Sequence, residues 1–310
     1  MKLSLGIVPS INGFGHVRRM ISIAIAFESF NISTNFLLPC NLNKQSKIPT
    51  LISNHKLKMQ TICVPSYAEG PYAQFQNYHT CDYSEINNLQ TKYEFIIADT
   101  VTWVADYHAQ VYLFAQQLWE FRSKNDVTIA ETNSRLRKIK KIFGFKDFTI
   151  DSIKNLNNFI EIPLIDYWGL KKYVKTESED TIVISNSGAE NLLEVENFYD
   201  KNLTMVYGLE NYLLSNPKPL AVICRPGLGA ISESLSAGII PILLKSKDSE
   251  LFFNSRVAIS NNWAIDYQQI MKFDFQSKIQ YIKDLKNNYK VPLIRTNFEL
   301  VRDFIEKESI

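Results

Sequence analysis

Residues 222–256 read VICRPGLGAISESLSAGIIPILLKSKDSELFFNSR, and their punctuation decides the fold. An apolar, β-rich run (220–224) stops at Arg225-Pro226-Gly227, where proline and the two glycines Gly227 and Gly229 force a turn whose backbone can come close to a ligand. A short helix over 230–237 is expected next, with no bulky residue in its first turn. Its unpaired N–H groups and positive dipole end suit an anionic phosphate. Glu233 lies about one turn into that helix, where a carboxylate can accept hydrogen bonds from vicinal ribose hydroxyls. The same glutamate would also simply complement the helix dipole, and the residues alone leave both roles open. A second apolar strand (239–244) and a polar loop (245–250) complete a strand-turn-helix-strand unit of an α/β domain that grips a nucleotide diphosphate.

A second glycine-bearing turn stands near the amino end. The nearly continuous apolar run LSLGIV (3–8) reads as a buried parallel strand, and PSINGFGHVRR (9–19) follows it. Gly13 and Gly15 permit a tight strand-to-helix turn, and His16 opens an amphipathic helix with Met20, Ile23, Ala24 and Phe27 on one face. The dinucleotide fingerprint is not met, because the third glycine is missing and no acidic residue ends the strand expected at 34–38. A histidine immediately after Gly-Phe-Gly, at a strand's carboxyl end, stands where open α/β sheets bind their ligands.

Composition narrows the class. The 310 residues suffice for two domains, and the chain is 45% apolar, 21% charged and 12% aromatic. Lys plus Arg (34) nearly balances Asp plus Glu (32), so a net charge of +2 leaves no electrostatic footprint for nucleic acid. No apolar run reaches the roughly 18 residues of a membrane span and no signal-peptide pattern opens the chain, so a cytoplasmic protein is expected. Cys40, Cys63, Cys81 and Cys224 show no metal-ligand spacing, and His16, His55, His79 and His108 form no zinc signature. Neither a structural metal nor a cofactor is therefore expected.

Apolar runs recur at 3–8, 34–38, 59–64, 95–99, 111–115 and 127–130, and again at 181–185, 203–207, 220–224 and 239–244, with helical or loop segments between them. Such alternation predicts parallel sheets covered by helices: an α/β chain of two Rossmann-like domains facing across a cleft. The style of the sequence changes near Glu161-Ile162-Pro163, giving an amino domain over 1–163 and a carboxyl domain over 164–310. The final segment, with Phe298, Leu300, Val301, Phe304 and Ile305, is helical by period and could pack on either domain. Asn186-Ser187-Gly188-Ala189 follows the strand at 181–185 and is the carboxyl domain's counterpart of the turn at 13–16. Facing loops of two domains can share one ligand.

These stretches resemble the GT-B glycosyltransferase architecture, and in particular the family of the peptidoglycan GlcNAc transferase that makes lipid II. Gly13-Phe14-Gly15-His16, Asn186-Ser187-Gly188-Ala189 and the segment 225–255 carry the resemblance; within the last, Gly227-Leu228-Gly229, Ser232-Glu233, Ala237-Gly238, Pro241, Lys247-Asp248 and Asn254 fall in family order. The resemblance implies an acceptor-binding amino domain and a carboxyl domain that binds a UDP-sugar. It also implies that Glu233 holds the ribose and that Ser187 and the turn Gly227, Leu228, Gly229 and Ala230 approach the diphosphate. Gly188, Asp248 and Glu250, with Gly13 and Gly15, are further candidates to bind the nucleotide-sugar, and Arg225 is a candidate to supply charge to the phosphates. The chain departs from the family where Glu250-Leu251 replaces a pair of glutamines that face the donor sugar, and where Leu164-Ile165 replaces an arginine after the interdomain proline. Gly-Phe-Gly-His-x-x-Arg, from Gly13 to Arg19, is equally similar to the UDP-sugar hydrolase of pseudaminic acid synthesis.

An inverting transfer needs a base for the incoming hydroxyl, and histidine, with an unperturbed pKa of about 6.5, suits it. His16 is the candidate. Asp99, closing the strand at 95–99, is placed either to orient the imidazole or to cap the segment that follows. The leaving diphosphate would rest on backbone N–H groups of the glycine turn, an arrangement that does not demand a metal. Tyr67, Tyr72, Tyr78, Trp103 and Trp119 are candidates to stack on an acceptor glycan. Residues 135–146, RLRKIKKIFGFK, allow two readings: a basic amphipathic helix on the inner face of a membrane, serving a lipid-linked acceptor, or a surface helix burying Leu136, Ile139, Ile142 and Phe143. Three functions stay open: a glycosyltransferase of cell-surface glycan or glycolipid synthesis, a nucleotide-sugar hydrolase or epimerase, and a non-catalytic nucleotide-sugar binder.

Overall fold

A computed structural model of the chain describes residues 3–11, 14–40, 42, 46–62, 84–118, 121, 126–174, 179–185, 203–206, 208–270, 272–287 and 291–308. The chain divides into two compact units, one formed by Met1–Ile162 with Asn297–Ile310 and the other by Pro163–Thr296.

The first unit holds a seven-stranded sheet in the order β3-β2-β1-β4-β5-β6-β7. Its strands are β1 (Ser4–Val8), β2 (Ser33–Pro39), β3 (Lys58–Ile62), β4 (Phe95–Asp99), β5 (Val111–Phe114), β6 (Lys141–Phe145) and β7 (Phe159–Ile162). All neighbours run parallel; Leu5, for example, pairs with Thr34 on one side and Phe95 on the other. Every residue of β4 and β5 is buried, as a strand covered on both faces requires. The order reverses between β1 and β4, so the carboxyl ends of these two strands flank the crevice where such sheets bind ligands. The helix Phe14–Ser29 follows β1 and buries Met20, Ile23, Ala24 and Phe27.

The C-terminal helix Asn297–Glu308 belongs to this first unit. Phe304 meets Phe27, Phe95, Tyr112 and Phe143 at ring-centroid distances of 5.7, 5.7, 4.8 and 6.1 Å. Asn297 Nδ2 donates to the Ser22 carbonyl at 2.5 Å, and Glu308 accepts hydrogen bonds from the Tyr112 hydroxyl and the Lys141 ammonium.

In the second unit, β9 (Glu179–Ser185), β10 (Leu203–Val206), β11 (Pro219–Cys224), β12 (Ile240–Leu243) and β13 (Ile265–Asp266) form a parallel sheet in the order β10-β9-β11-β12-β13. A small parallel pair, β8 (Leu164–Asp166) with β14 (Ile294–Thr296), joins the start and the end of this unit. The strand order reverses between β9 and β11, and all six residues of β11 are buried.

Two sequence expectations are corrected here. Residues 127–130 are not a strand: they lie in the helix Asp126–Lys138, where Thr132 and Leu136, four positions apart, are buried on one face. Residues 135–146 are not one amphipathic helix either. The helix ends at Lys138, and the β-branched and aromatic residues after it form β6. Leu136, Ile139 and Ile142 are buried in the unit and Phe143 is half-buried, which leaves no continuous apolar helix face for a bilayer. Among the described residues no helix is long and apolar enough to cross a membrane.

Candidate functional site

Three charged or titratable side chains meet at the carboxyl ends of β1 and β4. Asp99, the last residue of β4, is wholly buried, and Arg19 grips both its oxygens: Nε donates to Oδ2 at 2.9 Å and Nη2 to Oδ1 at 2.5 Å. His16, one helical turn before Arg19, sets Nδ1 3.1 Å from Asp99 Oδ1 and 3.0 Å from Arg19 Nη2. Burial pushes the Asp99 carboxyl up, but the Arg19 guanidinium and then His16 overcome it and hold it below its ordinary value. The guanidinium carbon of Arg19 also lies 5.6 Å from the centre of the Phe145 ring. Of the three, only His16 shows appreciable side-chain surface, 15% against 5% for Arg19 and none for Asp99.

The backbone behind this group is strained. Thr100, directly after Asp99, has φ of 55°, a conformation that costs a β-branched residue on the order of 1–3 kcal/mol. It is held there by two bonds: its N–H donates to the Phe114 carbonyl at 2.8 Å and its hydroxyl to the Asp99 carbonyl at 2.8 Å. The strain turns the chain sharply away, leaving the Asp99 side chain at the strand's end against the first helix.

The second unit repeats the strand-turn-helix plan with other means. After β11 the chain passes Arg225-Pro226 and enters the helix Leu228–Ser236, whose N-cap is Gly227 with no side-chain capping bond. The first intrahelical bond of this turn is Ile231 N–H to the Gly227 carbonyl, so among the described residues the N–H groups of Leu228, Gly229 and Ala230 have no capping partner. A Cβ added at Gly227 or Gly229 would meet no atom within 4 Å, so the turn presents bare backbone. Arg225 is half-buried beside it and forms no hydrogen bond or ion pair among the described residues. Glu233 is 8% exposed, close enough to the buried Cys224 that burial and then its charge push that thiol up to about 12.

His16 and Asp99 are thus brought together, and Gly15 lies in the same helical turn with open space at its Cβ position. Arg225, Gly227, Leu228, Gly229, Ala230 and Glu233 are likewise grouped, at the carboxyl end of β11. Gly13, Ser187 and Gly188 lie outside the described residues, as do Tyr67, Tyr72, Tyr78 and Trp119. Trp103 is not available for stacking on sugar: it is 5% exposed, packs against Tyr107 and belongs to the core around β4 and β5. The polar loop after β12 ends at Asp248, sooner than its sequence implied. Asp248 Oδ1 accepts from the N–H groups of Glu250 and Leu251, which caps the helix Ser249–Ser260 and puts Glu250 in its first turn. The sequence reading missed the bonding of Arg19; its one signal was the three-residue spacing from His16, which puts both on one helix face.

No protein-family model matches the chain, and no curated protein matches it. Solved structures do. UGT2 of Phytolacca americana complexed with UDP-2fluoro-glucose and pterostilbene shares 13% identity over 99% of this chain and 100% of that one, with a TM-score of 0.61. MurG of Acinetobacter baumannii shares 13% over 99% and 100%, with a TM-score of 0.56. LpCGTa in complex with UDP shares 10% over 92% and 91%, with a TM-score of 0.58. At such identities the likeness shows the fold, which is the GT-B type built from two Rossmann-like domains.

Proposed function

We propose that the protein is a UDP-sugar-dependent, inverting glycosyltransferase with a glycan or lipid-linked acceptor, acting in cell-surface glycan or glycolipid synthesis on the cytoplasmic side of the membrane. The observation that carries an enzymatic reading over mere binding is the His16–Asp99 pair, a part-exposed imidazole resting on a wholly buried carboxylate. In this reading the second unit holds the donor. The N–H groups at residues 228–230 and Arg225, which have no partner among the described residues, receive the diphosphate, and Glu233 receives the ribose hydroxyls. Fixed donors of this kind stabilise the departing diphosphate without a metal. His16 takes the proton of the acceptor hydroxyl as the bond from the anomeric carbon to the diphosphate breaks. Structures with UDP or UDP-2fluoro-glucose bound on the same fold support a uridine nucleotide as donor.

One observation favours a hydrolytic alternative: Arg19, the last residue of the motif shared with the UDP-sugar hydrolase, bonds directly to the dyad. A single assay separates the two readings. Offered a UDP-sugar without acceptor, a transferase leaks free sugar slowly and accelerates when the right hydroxyl is supplied, whereas a hydrolase releases sugar at full rate. His16→Ala is expected to lower turnover by roughly 10²–10⁴ while leaving UDP binding near that of the parent. Full turnover in that variant would defeat both enzymatic readings of His16.

A further inference from the structure

We propose that Arg19 is the positioning residue of the amino-terminal site: by holding both oxygens of Asp99 it keeps the imidazole proton of His16 on Nδ1 and leaves Nε2 unprotonated to act as base. This rests on the reading of His16 as base and assigns to Arg19 a task that the His–Asp pair cannot perform alone.

Asp99 has no surface, and its carboxylate would be costly to keep charged with only a neutral imidazole beside it. Arg19 supplies the missing charge through a two-point grip, Nε to Oδ2 and Nη2 to Oδ1. The guanidinium is itself fixed against the Phe145 ring and is 4% exposed, so it cannot swing away to water without breaking that packing. Nδ1 of His16 lies over the Oδ1–Nη2 contact, at 3.1 and 3.0 Å respectively. A charged carboxylate accepts the Nδ1 proton. Nη2 spends one of its two hydrogens on Oδ1 along the shorter contact, and in this proposal the other does not bond to Nδ1, the carboxylate being the stronger attraction for the ring proton. Arg19 from the same helix and Asp99 from β4 are the ionic groups shown bonding to the ring, while Arg18 acts on His55 instead.

Removing the guanidinium changes the proton count. The Asp99–His16 pair then takes up one proton from solvent. If that proton settles on Asp99, the carboxyl donates to Nδ1 and the ring proton moves to Nε2; if it settles on the ring, both nitrogens are protonated. Nε2 is occupied in either case, and the base is lost at neutral pH.

The test uses the full chain labelled with ¹⁵N-histidine, with the His16 signals assigned by their disappearance in His16→Asn. In the parent at neutral pH, Nε2 is expected to show an unprotonated signal and Nδ1 a protonated one. In Arg19→Met, Nε2 is expected to be protonated, and kcat/KM on the UDP-sugar to fall by about a hundredfold or more at neutral pH and recover as the pH is raised. Arg19→Lys keeps the charge, is expected to keep the parent tautomer, and carries the test if the Met variant does not fold. An unchanged His16 spectrum in folded Arg19→Met, a loss of activity equal at every pH, or a protonated Nε2 in folded Arg19→Lys overturns the proposal. The spectra need no turnover. Full activity in His16→Ala would therefore end the base assignment while leaving the tautomer result to stand by itself.

Discussion

The turn after β1 and the turn after β11 occupy the same place in their respective sheets, at the carboxyl end beside the reversal of strand order. They are furnished in opposite ways. After β1, the helix brings a cation and an imidazole onto a buried carboxylate, and the charges answer one another within the protein. After β11, the helix N-terminus has no cap, its glycines carry no side chain, and the arginine beside it has no partner among the described residues. A region with its charges balanced internally can hold a proton-transfer group in one orientation. A region whose N–H groups and guanidinium find no partner among the described residues suits an anion from outside. Within one chain the same supersecondary plan is thus furnished in two ways, as the proposed division into a chemical site and a binding site requires.

The largest effect that would break this contrast lies in the first site. Asp99→Asn keeps the shape but strands the Arg19 charge in a buried place, and a stability loss of about 3–5 kcal/mol is expected in denaturant melts. Its pH dependence follows from the lowered carboxyl. A group held below its unfolded value stabilises the fold above that value, near 3.8, and loses its contribution as pH falls through the folded value. Acid unfolding of the parent should therefore steepen below about pH 4, and Asp99→Asn should lack that component. A variant as stable as the parent would show that the first site is not a charge-balanced unit.

In the second site the expected losses concern ligand affinity. Glu233→Ala should weaken UDP binding by about 1–3 kcal/mol in calorimetry, the range for hydrogen bonds to a charged group. Equal affinities would leave Glu233 as a helix residue only. Gly227→Ala sharpens the comparison further. Gly227 has φ −70° and ψ 138°, which alanine adopts freely, and its Cβ would meet nothing. At an N-cap alanine is poorer than glycine, which offsets the gain of about 0.4–1 kcal/mol from the less flexible unfolded chain, so melting should shift little while UDP binding weakens because the methyl stands on the bare backbone. Unchanged UDP affinity would mean that the anion binds elsewhere. Smallest of all, Glu250→Gln should alter relative rates among UDP-sugars and leave affinity for UDP itself within about 0.5 kcal/mol, the usual span of a substitution away from the bound group. An unchanged donor profile would remove Glu250 from the sugar's surroundings.

How much of this was legible varies with the range of the interactions. The second site was readable because its parts are contiguous: an apolar strand, Pro226, Gly227 and Gly229, and a helix carrying Glu233 lie within fifteen residues of one another. His16 and Asp99 were each marked by standing at the end of an apolar strand. The grip of Arg19 on Asp99 spans eighty positions, and its one local trace is the spacing of Arg19 from His16; the left-handed backbone of Thr100 is the opposite of what a β-branched residue prefers. The same reasoning separates His16 from His108, whose ring is spent on backbone: Nδ1 accepts from Gln110 N–H and Nε2 meets the Tyr93 carbonyl. Of the strands that went unread, β7, β8, β13 and β14 are two to four residues long, too short for any periodicity, while β6 was hidden because 135–146 carries the spacing of a basic amphipathic helix. Residues 127–130 misled because Val, Thr and Ile lean towards strand locally, while the helix is fixed by tertiary burial of Thr132 and Leu136 further along.

The packing of Phe304 against Phe27, Phe95, Tyr112 and Phe143 has a consequence for the growing polypeptide. Domains generally fold in the order in which the ribosome delivers them, yet here the first domain to emerge is the one whose last piece is made after residue 296. The second domain is synthesised whole in between. During translation the aromatic patch on the first sheet therefore waits, exposed, for its cover. A chain released after residue 296 would be expected to display that patch to chaperones, although every residue of its carboxyl unit is present.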